Sequence, residues 1–304
     1  MRNSRSHKAM YIEAYQTGDL DRRIEEMWER LTECDLCPRK CRVNRLADER
    51  GYCRTGEQAI VSSAGPHFGE EPELVGTRGS GTIFFTHCNL QCVYCQNYDI
   101  SQLGHGQELS PTEVAGRMRR LEMLGCHNIN LVTPTHVVPQ ILKAVRIAAE
   151  NGLSLPLVYN TGGYESVDTL RLLEGIVDIY MPDAKYSDEE TAARYSDARN
   201  YPEMNRKALL EMYRQVGVLR AENGIATHGL LIRHLVLPGG LSDACRILDF
   251  IAHRLSKDSY VNIMAQYHPC HRARDYGSLG KRITYKEYSE VVEYARSIGL
   301  HKGF

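Results

Sequence analysis

The chain contains 304 residues, of which 42% are hydrophobic and 25% charged, a composition ordinary for a globular protein with a large core. The formal net charge of -1 provides no excess positive charge that would attract nucleic acid or an anionic membrane surface. Residues 1–20 carry charges throughout and no later apolar run approaches the length of a membrane span, so we expect a cytoplasmic protein. In that reducing compartment, ten cysteines indicate metal ligands and buried thiols rather than disulfides.

Apolar residues recur at helical spacing over residues 8–31, which predicts an amphipathic helix with a break around residues 17–19. We expect this helix to pack against the rest of the protein rather than to bind a partner. Residues 1–31 are therefore predicted to form an N-terminal helical extension.

Four cysteines follow at short spacings, Cys34, Cys37, Cys41 and Cys53. Their number matches a closed tetrahedral metal site, and the glycines and proline between them supply the turns that such a loop needs. Structural zinc, a second iron–sulfur cluster and unmetallated thiols all fit this spacing. We assign residues 32–76 to a cysteine-rich metal-binding segment, with irregular structure expected from residue 59 to residue 72.

From residue 77 to residue 304, segments typical of strands alternate with segments typical of helices, which predicts βαβ units and a parallel sheet. The strands are expected over residues 82–86, 128–133, 155–160, 176–181, 230–236 and 260–265. The helices are expected over residues 111–124, 137–150, 166–174, 188–217, 241–255 and 284–298. Cys126 and Cys245 are expected to be ordinary core cysteines.

The first of these strands leads directly into Cys88, Cys92 and Cys95, at CxxxCxxC spacing. Three thiolates on one loop are suitable ligands for a [4Fe-4S] cluster, and a set of three leaves the fourth iron open to a small molecule. This pattern indicates a reactive centre. The alternatives are a zinc knuckle that lacks one ligand and three unmetallated core thiols.

This cysteine loop resembles that of the radical SAM enzymes, in which the open iron binds S-adenosylmethionine (SAM). The resemblance implies a partial (β/α)6 TIM-type barrel, reductive cleavage of SAM, and a 5′-deoxyadenosyl radical that abstracts hydrogen from a substrate. The family favours an aromatic residue just before the third cysteine, near the adenine, and Tyr94 holds that position.

Function in α/β barrels gathers at the carboxyl ends of the strands. By resemblance, Thr133 and His136 occupy the place of a Gly-Gly-Glu motif that contacts the SAM amino group in many family members. Asn160 and Thr161 partly match an Asp-Thr-Asn-Gly stretch that binds the SAM ribose and amino group. Arg233 lies within an apolar strand, where a guanidinium needs an anion, and the SAM carboxylate would supply one.

Two further strand ends are expected to line a substrate pocket. Asp183 and Lys185 resemble an Asp-Leu-Lys stretch of the activases of glycyl radical enzymes, although a surface ion pair would explain them equally well. The last strand end carries an unusual polar group, for which loop packing is the alternative: Gln266, Tyr267, His268 and Cys270.

Taken together, the Cys-Pro-Arg-x-Cys motif, the cluster loop, Val-Thr-Pro-Thr-His and Arg-His-Leu-Val-Leu-Pro-Gly resemble the PflX group, homologues of the pyruvate formate-lyase activating enzyme. The resemblance implies a peptide or protein substrate, for which a glycyl radical enzyme is one candidate, and a low-potential flavodoxin or ferredoxin as electron donor. The alternatives are modification of another peptide or small molecule, and a non-catalytic iron–sulfur or zinc redox sensor or scaffold.

Overall fold

The computed structural model describes residues 8–304 and shows an α/β fold around one nine-stranded sheet. The strands are β1 (Ala59–His67), β2 (Ser80–Phe85), β3 (Gln107–Leu109), β4 (Ile129–Val132), β5 (Leu157–Thr161), β6 (Ile179–Pro182), β7 (Arg220–Glu222), β8 (Ile225–Leu235) and β9 (Tyr260–Met264). The helices are α1 (Tyr11–Thr17), α2 (Asp19–Glu29), α3 (Pro72–Val75), α4 (Tyr98–Ser101), α5 (Pro111–Met123), α6 (Val138–Glu150), α7 (Val167–Arg171), α8 (Glu189–Ser196), α9 (Tyr201–Val216), α10 (Ala244–Phe250) and α11 (Tyr285–Ser297).

Strands β2, β4, β5, β6, β8 and β9 pair in parallel and in that spatial order. They correspond to the six strands that the sequence predicts, and together they form the open barrel wall of the expected fold class. Strand β5 is buried along its whole length, as expected for a parallel strand covered on both faces. Because the strands are parallel, their carboxyl ends lie along one rim, and residues that follow them in sequence come together there.

The N-terminal helices pack on α6, on the outside of the barrel. Gly18 separates α1 from α2 with a φ of 80°, at the break that the sequence predicts, and the first seven residues of the predicted extension lie outside the described residues. The buried carboxylate of Asp178 accepts hydrogen bonds from the backbone amides of Met10 (3.0 Å) and Leu157 (2.8 Å). This carboxylate ties the N-terminal helices to the start of β5.

One part of the sheet differs from the sequence expectation. Residues 59–67 form β1, which pairs antiparallel with β2, and not irregular structure. Pro66 is tolerated within this strand because β3 pairs only with residues 59–61, so the prolyl nitrogen breaks no hydrogen bond on that edge. The cysteine-rich segment therefore runs into the main sheet before residue 76.

Two other expectations differ in detail. The helical region predicted over residues 188–217 is divided into α8 and α9, because Asp197 has a left-handed φ of 51° and ends α8. Cys126 is buried as predicted, whereas Cys245 is exposed on α10. No helix within residues 8–304 combines the length and apolar character needed to cross a bilayer.

Two apolar clusters support the rim. The larger one fills the space between the sheet and the helices that surround it. The smaller one lies under the cysteine loop and is rich in tyrosine, with the side chains of Tyr94, Tyr164, Tyr186, Tyr195, Tyr201 and Tyr267. The cysteine loop thus rests on a packed aromatic layer and not on solvent.

A pair of glycines allows the packing at the rim to be tested. Gly163 (φ 76°) and Gly175 (φ 73°) both adopt left-handed φ, so alanine should cost about 1 kcal/mol of unfolding free energy at either position. A Cβ at Gly163 would also collide with the Asp183 carbonyl and the Asn205 amide, whereas in the described structure nothing lies within 4 Å at Gly175. We predict that Gly163→Ala loses roughly 1–3 kcal/mol more unfolding free energy than Gly175→Ala. Urea denaturation measures this difference. Equal losses would contradict the packing described here.

Candidate functional site

Three cysteines lie in the loop after β2 and line one cavity of about 250 Å³ at the rim. Cys92 is buried, and Cys88 and Cys95 are partly buried. The loop is held by backbone hydrogen bonds from Gln91 to Ser196 (3.2 Å) and from Val93 to Tyr195 (2.9 Å), at the end of α8. The three thiols therefore share one cavity on a fixed stretch of backbone.

Each of the three sulfur atoms has a hydrogen-bonding neighbour. The Leu90 amide donates to Cys88 Sγ (3.4 Å), and the Ser196 hydroxyl donates to Cys92 Sγ (2.9 Å). Cys95 Sγ lies 3.2 Å from the Ser101 hydroxyl. Such contacts stabilise negative charge on sulfur, and they orient thiolates that bind metal centres.

The environment of these thiols favours a bound cationic centre. Burial, with Cys92 and Cys95 adding repulsion, raises the pKa of Cys88 to about 12. Burial, with repulsion from Cys92, likewise raises the pKa of Cys95 to about 11. Three thiolates are therefore stable together only when a cationic group compensates their charge, as the iron of an iron–sulfur cluster does. The donor set, the shared cavity and the hydrogen bonds to sulfur fit such a cluster.

One wall of the same cavity carries two cations that share one carboxylate. Lys185 Nζ donates to Asp183 Oδ2 (2.6 Å) and Arg233 Nε donates to Asp183 Oδ1 (3.1 Å), and all three residues line the cavity. Burial opposes ionisation of Asp183, but the charges of Lys185 and Arg233 outweigh it and lower the pKa of this carboxyl. Because both cations line the cavity, this wall suits a ligand that has an anionic group.

Arg233 also contacts two groups from distant parts of the chain. Its Nη2 donates to Asn160 Oδ1 (2.7 Å), and its Nη1 lies 3.5 Å from Glu70 Oε2. Asn160 Nδ2 is 3.4 Å from Glu70 Oε1, which closes a network behind the wall. Burial raises the pKa of Glu70 despite the opposing effect of Arg233. The guanidinium predicted to bind the SAM carboxylate is thus already fixed in place by the protein.

Behind the same wall lies a buried carboxyl group. Glu165 accepts hydrogen bonds from the hydroxyls of Thr135, Thr161 and Tyr159. Thr161 lines the cavity, as does Thr133, which has a left-handed φ of 60° that is uncommon for a β-branched residue. Burial raises the pKa of Glu165 to about 7. Glu165 therefore fixes the side chain of Thr161, a residue of the cavity wall.

Tyr94 lines the cavity beside the third cysteine, and its hydroxyl is 2.5 Å from that of Tyr186. Tyr186 in turn is 2.7 Å from the Ser196 hydroxyl, which contacts Cys92. A chain of hydroxyl groups thus joins the predicted adenine-side aromatic residue to a cysteine sulfur.

The strand end after β9 contributes less to the cavity than the sequence predicts. Gln266 lines it, but Tyr267 is buried behind Tyr94, with ring centroids 6.0 Å apart, and donates to the Leu279 carbonyl. His268 and Cys270 are not part of the lining: His268 contacts the lining residue Gln96 (3.4 Å), and the Cys270 carbonyl accepts a hydrogen bond from the Ala273 amide (2.9 Å). This loop therefore covers the cysteine loop and contributes little to the cavity wall.

His136 lies away from the cavity that holds Cys88, Cys92 and Cys95. It is buried, its Nε2 donates to the Thr86 carbonyl (2.9 Å), and burial together with the Arg45 charge lowers its pKa to about 3. It lines instead a second small cavity, which also brings together the four N-terminal cysteines, Cys34, Cys37, Cys41 and Cys53.

Sequence reasoning missed Glu70, Glu165, Ser101 and Ser196, which act on the site from behind or from other elements. Two of them carry a usable signal: Glu165 follows the strand end of β5 by a few residues, and Ser101 follows Cys95 by six. Glu70 lies in a loop and Ser196 at the end of α8, where no motif marks them.

Comparisons with known proteins identify the family of this chain's central region. A family model described as the radical SAM superfamily matches residues 82–240. Two proteins of Methanocaldococcus jannaschii are similar over most of the chain: uncharacterized protein MJ0674, 35% identical over 95% of this chain and 82% of its own length, and uncharacterized protein MJ0808, 23% identical over 92% and 81%.

Two solved structures are also similar. A radical SAM methyltransferase from Sphaerobacter thermophilus gives a TM-score of 0.51 at 17% identity and covers 73% of this chain; the match spans 64% of that chain, less than two thirds. HydG, a maturase of the [FeFe]-hydrogenase, gives a TM-score of 0.49 at 12% identity, and the match covers 70% of this chain and 47% of the HydG chain. The first similarity supports the fold alone.

The buried Glu165 predicts a pH-dependent stability. Its folded pKa of about 7 lies above the ordinary 4.5, so the folded state favours the neutral acid, and this contribution is lost as pH rises through 7. Relative to Glu165→Gln, the wild type should lose on the order of 3 kcal/mol of unfolding free energy between pH 4.5 and pH 8. Urea denaturation at several pH values measures this, with the exposed Glu13→Gln as control. Parallel profiles for wild type and Glu165→Gln would refute it.

Proposed function

The chain belongs to the radical SAM superfamily, whose members cleave SAM at an iron–sulfur cluster, and we propose that Cys88, Cys92 and Cys95 hold that cluster here. The observation that carries the proposal is the convergence of the three thiols on one cavity at the rim of the parallel strands. When bound, the [4Fe-4S] cluster supplies the electron that cleaves SAM to methionine and a 5′-deoxyadenosyl radical, which abstracts hydrogen from the substrate.

The side chains of the cavity wall are proposed to position SAM. Lys185 and Arg233 face the anionic part of the ligand, since both line the cavity and carry positive charge; Asp183 pairs with both, and Glu70 pairs with Arg233 (3.5 Å). Asn160, Thr133 and Thr161 offer polar contacts, and Tyr94 offers an aromatic face for the adenine. Closure by the loop after β9 limits the access of water to a reactive intermediate.

A peptide or protein substrate is the class that the cavity supports best. SAM must occupy this cavity of about 250 Å³, which is partly open to solvent. A substrate that presents one group from the open side therefore fits beside SAM. The similarity to activases makes the backbone glycine of a glycyl radical enzyme one such group; another peptide is the alternative.

A non-catalytic iron–sulfur or zinc sensor would use the same cysteines. Such a protein has no need for a cavity beside them whose wall carries Asp183, Lys185 and Arg233. That wall favours the enzyme. A low-potential flavodoxin or ferredoxin is the proposed electron donor.

Loss of any one cluster ligand should abolish SAM cleavage. We predict that Cys88→Ala, Cys92→Ala and Cys95→Ala each lower dithionite-driven formation of 5′-deoxyadenosine at least 100-fold, because three thiolates are needed to hold the cluster. The exposed Cys245→Ser variant serves as the matched control and should keep wild-type activity. Product formation is followed by liquid chromatography after anaerobic reconstitution. Retained activity in any of the three alanine variants would refute the ligand assignment.

SAM affinity should depend on the cations of the wall. We predict that Lys185→Met weakens SAM binding to the cluster-loaded protein about tenfold or more, since a hydrogen bond to a charged group contributes roughly 1.5–3 kcal/mol. Lys207→Met, at an exposed lysine paired with Glu203, is the control. Equilibrium binding measures both. Unchanged affinity in Lys185→Met would remove this lysine from the SAM site.

A further inference from the structure

The four N-terminal cysteines, Cys34, Cys37, Cys41 and Cys53, line one small cavity against the loop that holds Cys88, Cys92 and Cys95. We propose that this cavity holds a second iron–sulfur cluster, placed to exchange electrons with the first. The inference rests on the proposed function only for the identity of the first cluster.

The backbone around this cavity is shaped to bring the cysteines together. The backbone has a left-handed φ at three positions, a conformation that residues other than glycine rarely adopt: Lys40 (φ 43°), Arg42 (φ 59°) and Arg54 (φ 54°). At Gly51, an added Cβ would lie 2.7 Å from the Cys41 Cβ, so only glycine lets the two loop segments approach. The Tyr52 amide donates to Cys41 Sγ (3.3 Å). Left-handed φ at three residues with side chains, together with the close approach of Gly51 to Cys41, indicates a constrained loop.

A buried cation beside the thiols calls for negative charge. Arg45 is 1% exposed, and its guanidinium donates to the carbonyl oxygens of Gly56 (2.8 and 3.0 Å) and His136 (2.7 Å), with Cys34 Sγ 4.0 Å away. Carbonyl oxygens satisfy its hydrogen bonds but carry no net charge, and a buried charge is costly without a counter-charge. Thiolates bound to a metal centre provide that charge.

One nitrogen atom on this wall lacks a partner among the described residues. Arg39 lines the cavity, and its Nη2 is buried with no hydrogen-bond partner within residues 8–304. Such atoms are rare in folded proteins, and a bound group is one explanation for them. The sulfides and thiolates of a cluster would accept a hydrogen bond from Arg39.

The position of the cavity favours a cluster over zinc. Four thiolates suit either centre, but zinc has no redox chemistry, whereas an iron–sulfur cluster can pass electrons to a neighbouring centre. The cavity adjoins the loop that holds Cys88, Cys92 and Cys95, where such a neighbour is proposed.

The two cysteine groups are direct neighbours. Cys53 and Cys88 line a common small cavity, and Arg39 donates from Nε to the Asn89 carbonyl (2.9 Å) within the cluster loop. The two cysteine groups therefore lie on adjoining cavities. In the electron exchange, the second cluster loses one electron and the first gains it, and a flavodoxin or ferredoxin restores the reduced second cluster.

The decisive experiment removes the first cluster. The variant Cys88→Ala/Cys92→Ala/Cys95→Ala, reconstituted anaerobically, should retain about four irons and four sulfides per chain and give an electron paramagnetic resonance signal on reduction. Adding Cys37→Ala and Cys53→Ala to this variant should remove both the bound iron and sulfide and the resonance signal. Zinc without iron, or no bound metal, would overturn the inference. Because this variant has no SAM site, its iron content stays informative even if the proposed function fails.

Two further measurements test proximity and charge. With both clusters reduced, the wild-type resonance spectrum should be broadened by magnetic coupling relative to the sum of the two single-cluster spectra; a simple sum would overturn the electron exchange. In the variant without the first cluster, Arg45→Met should lower the reduction potential of the second cluster, because reduction adds negative charge, whereas Arg45→Lys should stay near the parent value. Equal reduction potentials in the Arg45→Met and Arg45→Lys variants would overturn the role of Arg45.

Discussion

Holding several buried thiolates close together is the constraint on which this molecule depends. Each thiolate loses hydration and repels its neighbours, as the raised pKa values of Cys88 and Cys95 show. The fold supports them in two ways: it fixes the loop against the end of α8, and it places a hydrogen-bonding group near each sulfur. A metal centre then supplies the positive charge, which explains why a cavity and not a packed core lies beside the thiols.

The parallel sheet makes the rest of the site possible. Asp183 and Arg233 follow or lie within different strands, yet an isolated bridge joins their backbones at the rim, so their side chains form an ion pair. This pairing fixes the guanidinium in the wall before any ligand binds. Pre-positioned charges lose little freedom on binding, and this favours a ligand with both an amino and a carboxylate group such as SAM.

Much of this could be predicted from the sequence, because alternating strands and helices and the CxxxCxxC motif are local signals. The parallel strands lie where periodicity places them. Contacts between distant segments were not predictable: Glu70 and Arg233 are 163 residues apart, and no motif connects them. His136 follows a strand end, as a site residue should, but its ring turns to Thr86 and the other cysteine group. Side-chain direction after a strand end depends on packing, which a single sequence does not contain.

We propose that the open iron of a cluster on Cys88, Cys92 and Cys95 binds SAM directly. Electron–nuclear double resonance of the reduced protein, with SAM carrying ¹⁵N in its amino group and ¹⁷O in its carboxylate, tests this claim most directly. We expect magnetic coupling from both labels to the cluster in the wild type. A reduced cluster that binds labelled SAM without coupling to either nucleus would contradict it.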